Sequence, residues 1–250
     1  MFDMIRAEMY KLRYNKTLPI LLLAILSVAT LSVIITYLTR ETENIQINGQ
    51  LAAYRAPITD TYMLIFFAIL AAEIIVSEYS RGTIKNLVAS GKPKLHIYFS
   101  KLASLIVASL LFCIFCIVIY SVIYSLVFGW GGRFQLTDLL PVLRMIGRMA
   151  VLLPAIDGIV MLVSILFQSS VPTIGVCGGL AFLEVILVRL LAAVPALRDA
   201  VLYFPLSLSN LITQAAPATE DVQHVFIVGF LIFSVTSVWG CLVFKRQDVK

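Results

Sequence analysis

Apolar positions in this chain fall in long continuous runs rather than in alternating or heptad patterns, and six of them approach or exceed the length of a bilayer-spanning helix. A hydrocarbon core of about 30 Å takes roughly 20 apolar residues, and helices satisfy their own backbone where water is absent. The runs are 18–38, 59–77, 102–128, 150–167, 174–194 and 225–244. The first and last carry no charge. The second has Asp60 at its mouth and Glu73 inside, the fourth contains Asp157, and the fifth contains Glu184 and Arg189. An all-α membrane protein with six transmembrane helices in one domain is expected.

Composition agrees: 60% of the 250 residues are apolar and 13% are charged, against about 25% charged in soluble domains. Positive residues stay on the cytoplasmic side of a membrane. With both termini inside, Arg6, Lys11, Arg13, Lys16, Arg81, Lys85, Lys92, Lys94, Lys101, Lys245, Arg246 and Lys250 are cytoplasmic. Arg40, Arg55, Arg133, Arg144, Arg148 and Arg198 fall on the other side. Twelve against six favours this orientation, and the net charge of +5 reflects insertion rather than a nucleic-acid surface.

Residues 1–16 do not resemble a cleaved signal peptide, since a charged stretch leads into a full-length span. Phe2, Ile5, Met9 and Leu12 share a helical face away from Arg6, Lys11 and Arg13. This is the pattern of a helix lying in the inner interface, with an unstructured basic tail as the alternative.

The chemistry-bearing motifs are mostly negative. There is no H-E-x-x-H, no G-x-S-x-G and no G-x-x-x-x-G-K-[ST]; "SGKPK" lacks the upstream glycine and puts Pro93 where the magnesium-binding hydroxyl belongs. Cys113 and Cys116 have C-x-x-C spacing inside a span and read as core; Cys177 and Cys241 are also in spans, and no metal site is expected.

The longest inner segment, 78–101, has internal structure. Gly82 can close the second span as a C-cap and Thr83 can act as N-cap of a short helix with Ile84, Leu87 and Val88 on one face and Lys85 and Asn86 on the other. Pro93 then breaks the helix, and the chain re-enters the membrane with Lys101 anchored at the interface. A helical hairpin tip results. From physics alone, a solvated loop and a docking element are equally good readings of it.

"EYSRGTIKNLVASGKPKLHIYFSKL" (78–102), with its acidic-aromatic-x-x-Gly-Thr opening and Ile-Tyr-x-x-Lys close, resembles the first cytoplasmic loop of ABC-2 type transporter permeases. "AEMYKLRYNKT" (7–17) resembles the elbow helix that leads into their first span. The resemblance covers the whole chain in layout but rests on these two segments. It implies the ABC-2 (type V exporter-like) permease fold with both termini inside and an interfacial elbow carrying Arg6, Glu8, Lys11 and Arg13. It also implies pairing with a second permease, alike or identical, and docking on two copies of a separate ATPase that holds ATP and Mg, with no cofactor and no catalysis in this chain. Glu78, Arg81, Gly82, Thr83, Lys85 and Asn86 would then be coupling positions, with a smaller contact from Gln168 and Ser169 in the short inner loop 168–172. Such permeases include bacitracin, lantibiotic-immunity and amphipathic-peptide exporters of the bacterial cytoplasmic membrane. An amphipathic peptide or lipid-like cargo is the corresponding expectation.

In-span ionisable residues are the remaining candidates, because each costs about 2.5–3.5 kcal/mol on insertion scales unless paired or hydrated. Glu73, Asp157 and Glu184 are candidate pathway residues. Glu73 also reads as a carboxylate bonded to the elbow helix, and Asp157, between Pro154 and Gly158, reads equally as a structural pair. Arg189 is expected to snorkel outward. Arg144 and Arg148 share a face just outside the fourth span. The outer segment 195–223 contains "YFPLSLSNLI", either a short re-entrant helix dipping Leu206, Leu208 and Leu211 toward the membrane or a plain loop. The competing class is an ion-coupled secondary transporter or channel using the three carboxylates, which would show internal repeats; no convincing repeat is present. An intramembrane enzyme lacks its motifs.

Overall fold

The computed structural model describes residues 2–14, 16–43, 48–54, 56, 62–214 and 217–247. Arg55, Asp60 and Lys250 lie outside these, and only the backbone is described for Phe2, Arg40, Arg198 and Leu206. Among the described residues the chain is all-helical, and six helices are long and apolar enough to cross a membrane: Thr17–Thr39, Met63–Ser80, Lys94–Phe128, Leu136–Phe167, Ser170–Ala193 and Thr219–Arg246.

A short helix α1 (Phe2–Arg13) precedes α2 (Thr17–Glu43), the first span. A small helix α3 (Gly49–Tyr54) follows; it buries Ala52 and Ala53 and, although no sequence pattern marked it, packs along the third span. Gly49 is required there, because an added Cβ would overlap the Ser125 side chain. The second span runs as α4 (Tyr62–Ala71), a π turn (Ala72–Val76) and α5 (Ser77–Ser80). Next come α6 (Thr83–Ala89), α7 (Lys94–Phe128), α8 (Leu139–Phe167), α9 (Ser170–Ala193), α10 (Pro205–Ile212) and α11 (Thr219–Arg246).

Three spans exceed their apolar runs by eight residues or more. The third begins at Lys94 rather than at 102, the fourth at Leu136 rather than at 150, and the sixth covers 219–246. Helical hydrogen bonding continues past the apolar stretch: α7, with 35 residues, is about 52 Å long at 1.5 Å per residue. Arg144 and Arg148 therefore lie within α8, not outside the span, and an Arg148 Nη2 donates to the Gln214 carbonyl at 3.2 Å.

The core forms where α7, α8, α11 and α4 meet. Phe67, Phe112, Leu105, Met145 and Leu153 are fully shielded, and the Phe112 ring meets Phe66 in a tilted pair and Phe67 edge-on. Close approach of α8 and α11 depends on Gly158, where an added Cβ would collide with Thr236. The segment before α11 is helical at 205–212 and buries Leu208 and Ile212. Helices α2, α9 and α11 leave wide apolar faces uncovered, among them Leu23, Phe182, Ile186, Phe230 and Trp239.

Candidate functional site

The ends of the helices that carry most lysines come together. Lys94 Nζ donates to the carbonyls of Lys245 (3.1 Å) and Gln247 (2.8 Å), neutralising the free carbonyls at the end of α11. Gln247 in turn donates from Nε2 to the Ile165 carbonyl at 2.8 Å and accepts from the Tyr79 hydroxyl at 3.2 Å. The start of α7 and the ends of α5, α8 and α11 are thus fastened around one glutamine, and the N-terminal helix joins the same end through ion pairs.

Those ion pairs form a network of Glu8 and Lys11 from α1, Glu78 from α5 and Lys101 from α7. Lys101 Nζ reaches Glu78 Oε2 at 2.5 Å, Glu8 Oε1 at 3.5 Å and the Ile74 carbonyl at 3.4 Å. Lys11 Nζ bridges Glu78 Oε1 (2.7 Å) and Glu8 Oε1 (3.1 Å). Two cations balance two anions. Lys101 is only 1% exposed, so its ammonium does not reach outward as an anchor; it is a buried counter-ion. Burial lowers the pKa of the half-exposed Lys11, but the hydrogen bonds and charges of Glu78 and Glu8 outweigh it and hold the ammonium above the ordinary lysine value.

The π turn explains why Glu78 meets both partners. One extra residue per turn rotates everything after it by roughly 100° relative to a continuous α-helix. Glu78 falls inward, 7% exposed, and the Ile74 carbonyl inside the turn accepts from Lys101. Glu73, by contrast, does not bond to the elbow: it is partly exposed and faces Arg81 at 3.8 Å.

Immediately beyond this network the chain turns through Gly82, at φ +70°, whose N–H donates to the Tyr79 carbonyl. Gly82 closes α5 as a left-handed cap. Thr83 is the first residue of α6 rather than its N-cap, since no side-chain cap bond forms there. Ile84 is buried, Leu87 and Val88 are half-buried, and Lys85 and Asn86 are exposed. Pro93, extended at ψ 131°, precedes α7. Only 81–93 is loop and α6; residues 78–80 complete the second span and 94–101 are the first two turns of the third.

The other sequence candidates are dispersed. Gln168, at φ 51°, and Ser169 form a two-residue exposed turn between α8 and α9, next to the Ile165–Gln247 bond. Arg6 and Arg13 are exposed on α1. Asp157 is wholly buried in α8; one oxygen accepts from Ser109 Oγ at 2.6 Å and the other has no protein partner. Glu184 is half-buried on α9 and Arg189 is exposed near that helix's end. The four cysteines are unpaired thiols, and no cluster of metal-binding side chains occurs among the described residues. Lys101, Lys94, Tyr79 and Gln247 were not recognisable as partners in the sequence, because their contacts join segments up to 168 positions apart.

The six spans and the helical frame define a multi-pass α-helical membrane protein. The chain belongs to a family described as "Protein of unknown function (DUF2705)", whose model matches residues 20–250. No curated protein matches it.

Proposed function

We propose that this protein is the transmembrane subunit of an ATP-driven exporter of the ABC-2 type in a bacterial cytoplasmic membrane. Its partners would be a second permease and two copies of an ATPase that carries ATP and Mg. The observation that carries this reading is α6. A short helix stands at the lysine-rich end of the bundle with Ile84 packed inward and Lys85 and Asn86 facing out, and it leads directly from a span locked to the elbow by the Glu78–Lys101–Lys11–Glu8 network. A partner pushing on α6 would move α5 and α7 together rather than bend a loose loop. Arg81, Gly82 and Thr83 shape this element, while Glu78 acts from beneath it, its carboxylate occupied by two lysines. The cargo that suits largely apolar spans is an amphipathic peptide or lipid-like molecule.

The test is copurification with a candidate partner ATPase. Lys85→Glu should lower permease-stimulated ATP hydrolysis while leaving insertion and melting temperature unchanged, and Gly82→Ala combined with Thr83→Ala should lower it with insertion intact, at a cost of about 1–2 kcal/mol in stability from the left-handed backbone at 82. Unaltered stimulation with all of these variants would sink the docking assignment. One observation favours a second reading, an ion-coupled transporter or channel: the buried Asp157 with a single hydrogen bond. Yet Asp157 pairs with Ser109 and Glu73 with Arg81, so these two carboxylates share no partner that would make a relay.

A further inference from the structure

A cavity of about 530 Å³ opens between α1, the start of α2 and the end of the second span, a volume inside the range of about 300–1,000 Å³ typical of small-ligand sites. Glu8, Lys11 and Glu78 form part of its wall, but with Lys101 behind them they make a neutral network that satisfies itself. Three other charged groups face the space: Lys16, Arg81 and Glu73. Lys16 is exposed, and the 3.8 Å separation of Arg81 from Glu73 is beyond hydrogen-bond length, so both retain capacity for a ligand. Tyr10 and Tyr14, rings 4.9 Å apart and each 65% exposed, also line it.

The location narrows the ligand. The cavity lies where the first span begins and the second ends; span ends are where headgroups and tyrosines are expected. Just along α2 from its rim, Ile20 and Leu23 expose apolar side chains at 62% and 63%. A ligand with a compact charged head and hydrocarbon tails fits both parts. Two cations and one carboxylate around the same space ask for a head with an anion and a cation.

We propose that this cavity binds the headgroup of a zwitterionic phospholipid, its phosphate held by Lys16 and Arg81 and its ammonium by Glu73, with the acyl chains lying along α2. The bound lipid would fill the space between the elbow and the second span. Lipid binding here requires no ATPase, although Arg81 also flanks the proposed docking helix.

Native mass spectrometry of the purified full chain tests it, with phosphatidylethanolamine or phosphatidylglycerol added at equal concentration. The wild type should retain phosphatidylethanolamine preferentially. Lys16→Glu should weaken that retention about tenfold or more, the size expected for losing a charge-assisted hydrogen bond. Glu73→Gln should abolish the preference between the two lipids without abolishing binding. Inorganic phosphate should fail to displace the lipid. Equal retention of the two lipids by the wild type, unchanged retention in Lys16→Glu, or displacement by phosphate would each overturn the proposal. Lys16 is exposed and Glu73 partly so, and melting curves matching the wild type will show that both variants fold.

Discussion

Replacing Lys101 with methionine removes the buried cation while keeping most of its volume. In the native chain this ammonium, 1% exposed, faces Glu78 at 2.5 Å, Glu8 at 3.5 Å and the Ile74 carbonyl at 3.4 Å. After the substitution Lys11 alone must serve two carboxylates that are themselves nearly buried, and the network changes from neutral to one net negative charge. Breaking a buried pair by removing one partner costs about 3–5 kcal/mol, because the remaining charge is left uncompensated. At about 2–4 °C per kcal/mol for a chain of this size, the melting temperature should fall by roughly 6–20 °C. The double variant Lys101→Met with Glu78→Gln should recover most of the loss, since it removes the charge imbalance along with the pair. The contrasting control is Arg81→Ala, whose pair with Glu73 is 3.8 Å long and exposed and should be worth less than about 1 kcal/mol. Tryptophan-fluorescence melting in detergent reads all of these. If Lys101→Met melts with the wild type, or the double variant is no more stable than the worse single one, the charge-balance reasoning is wrong.

Gly49→Ala should destabilise by about 1–3 kcal/mol, because the new methyl overlaps Ser125; adding Ser125→Gly should recover part of the loss, the remainder reflecting a glycine within α7. Gly82→Ala meets no neighbour within 4 Å, so its cost is backbone strain of about 1–2 kcal/mol at a left-handed residue, seen as faster amide exchange confined to α5 and α6. Asp157→Asn keeps an acceptor for Ser109 and removes any charge from the bundle interior. Its stability should stay within about 1 kcal/mol of wild type or rise, whereas a large loss would indicate a paired anion at that position. Lys11 has a folded pKa raised above its unfolded value, so its stabilising contribution is complete below about pH 10.5 and disappears as pH rises through the folded value. The melting difference between wild type and Lys11→Met should therefore be constant up to about pH 10 and shrink above it; a change near neutrality would contradict the assignment.

The six spans were legible because lipid imposes a one-dimensional requirement: enough consecutive apolar residues in a helix, which composition alone reveals. The apolar face of α6 was legible for the same kind of reason, since Ile84, Leu87 and Val88 recur at helical spacing and Lys85 and Asn86 do not. So was the glycine turn at 82, which demands a residue tolerating positive φ. Helix ends were less legible, because Lys94–Lys101 and residues 139–149 continue as helix where hydropathy falls but partners supply burial and hydrogen bonds.

Charges followed a different rule. By sequence, Lys101 is one more lysine beside a span and Glu73 is the in-span acid nearest the elbow. Only the packed structure turns Glu78, through one π turn, onto Lys101 and Lys11, and leaves Glu73 facing Arg81. Hydrophobic burial depends on the summed character of a segment, so the sequence by itself determined what enters the membrane. A charge is stabilised by a partner within a few ångströms, and for Glu78 and Lys101 that partner lies on another segment. Which charges are buried, and what they hold together, was decided by the tertiary structure.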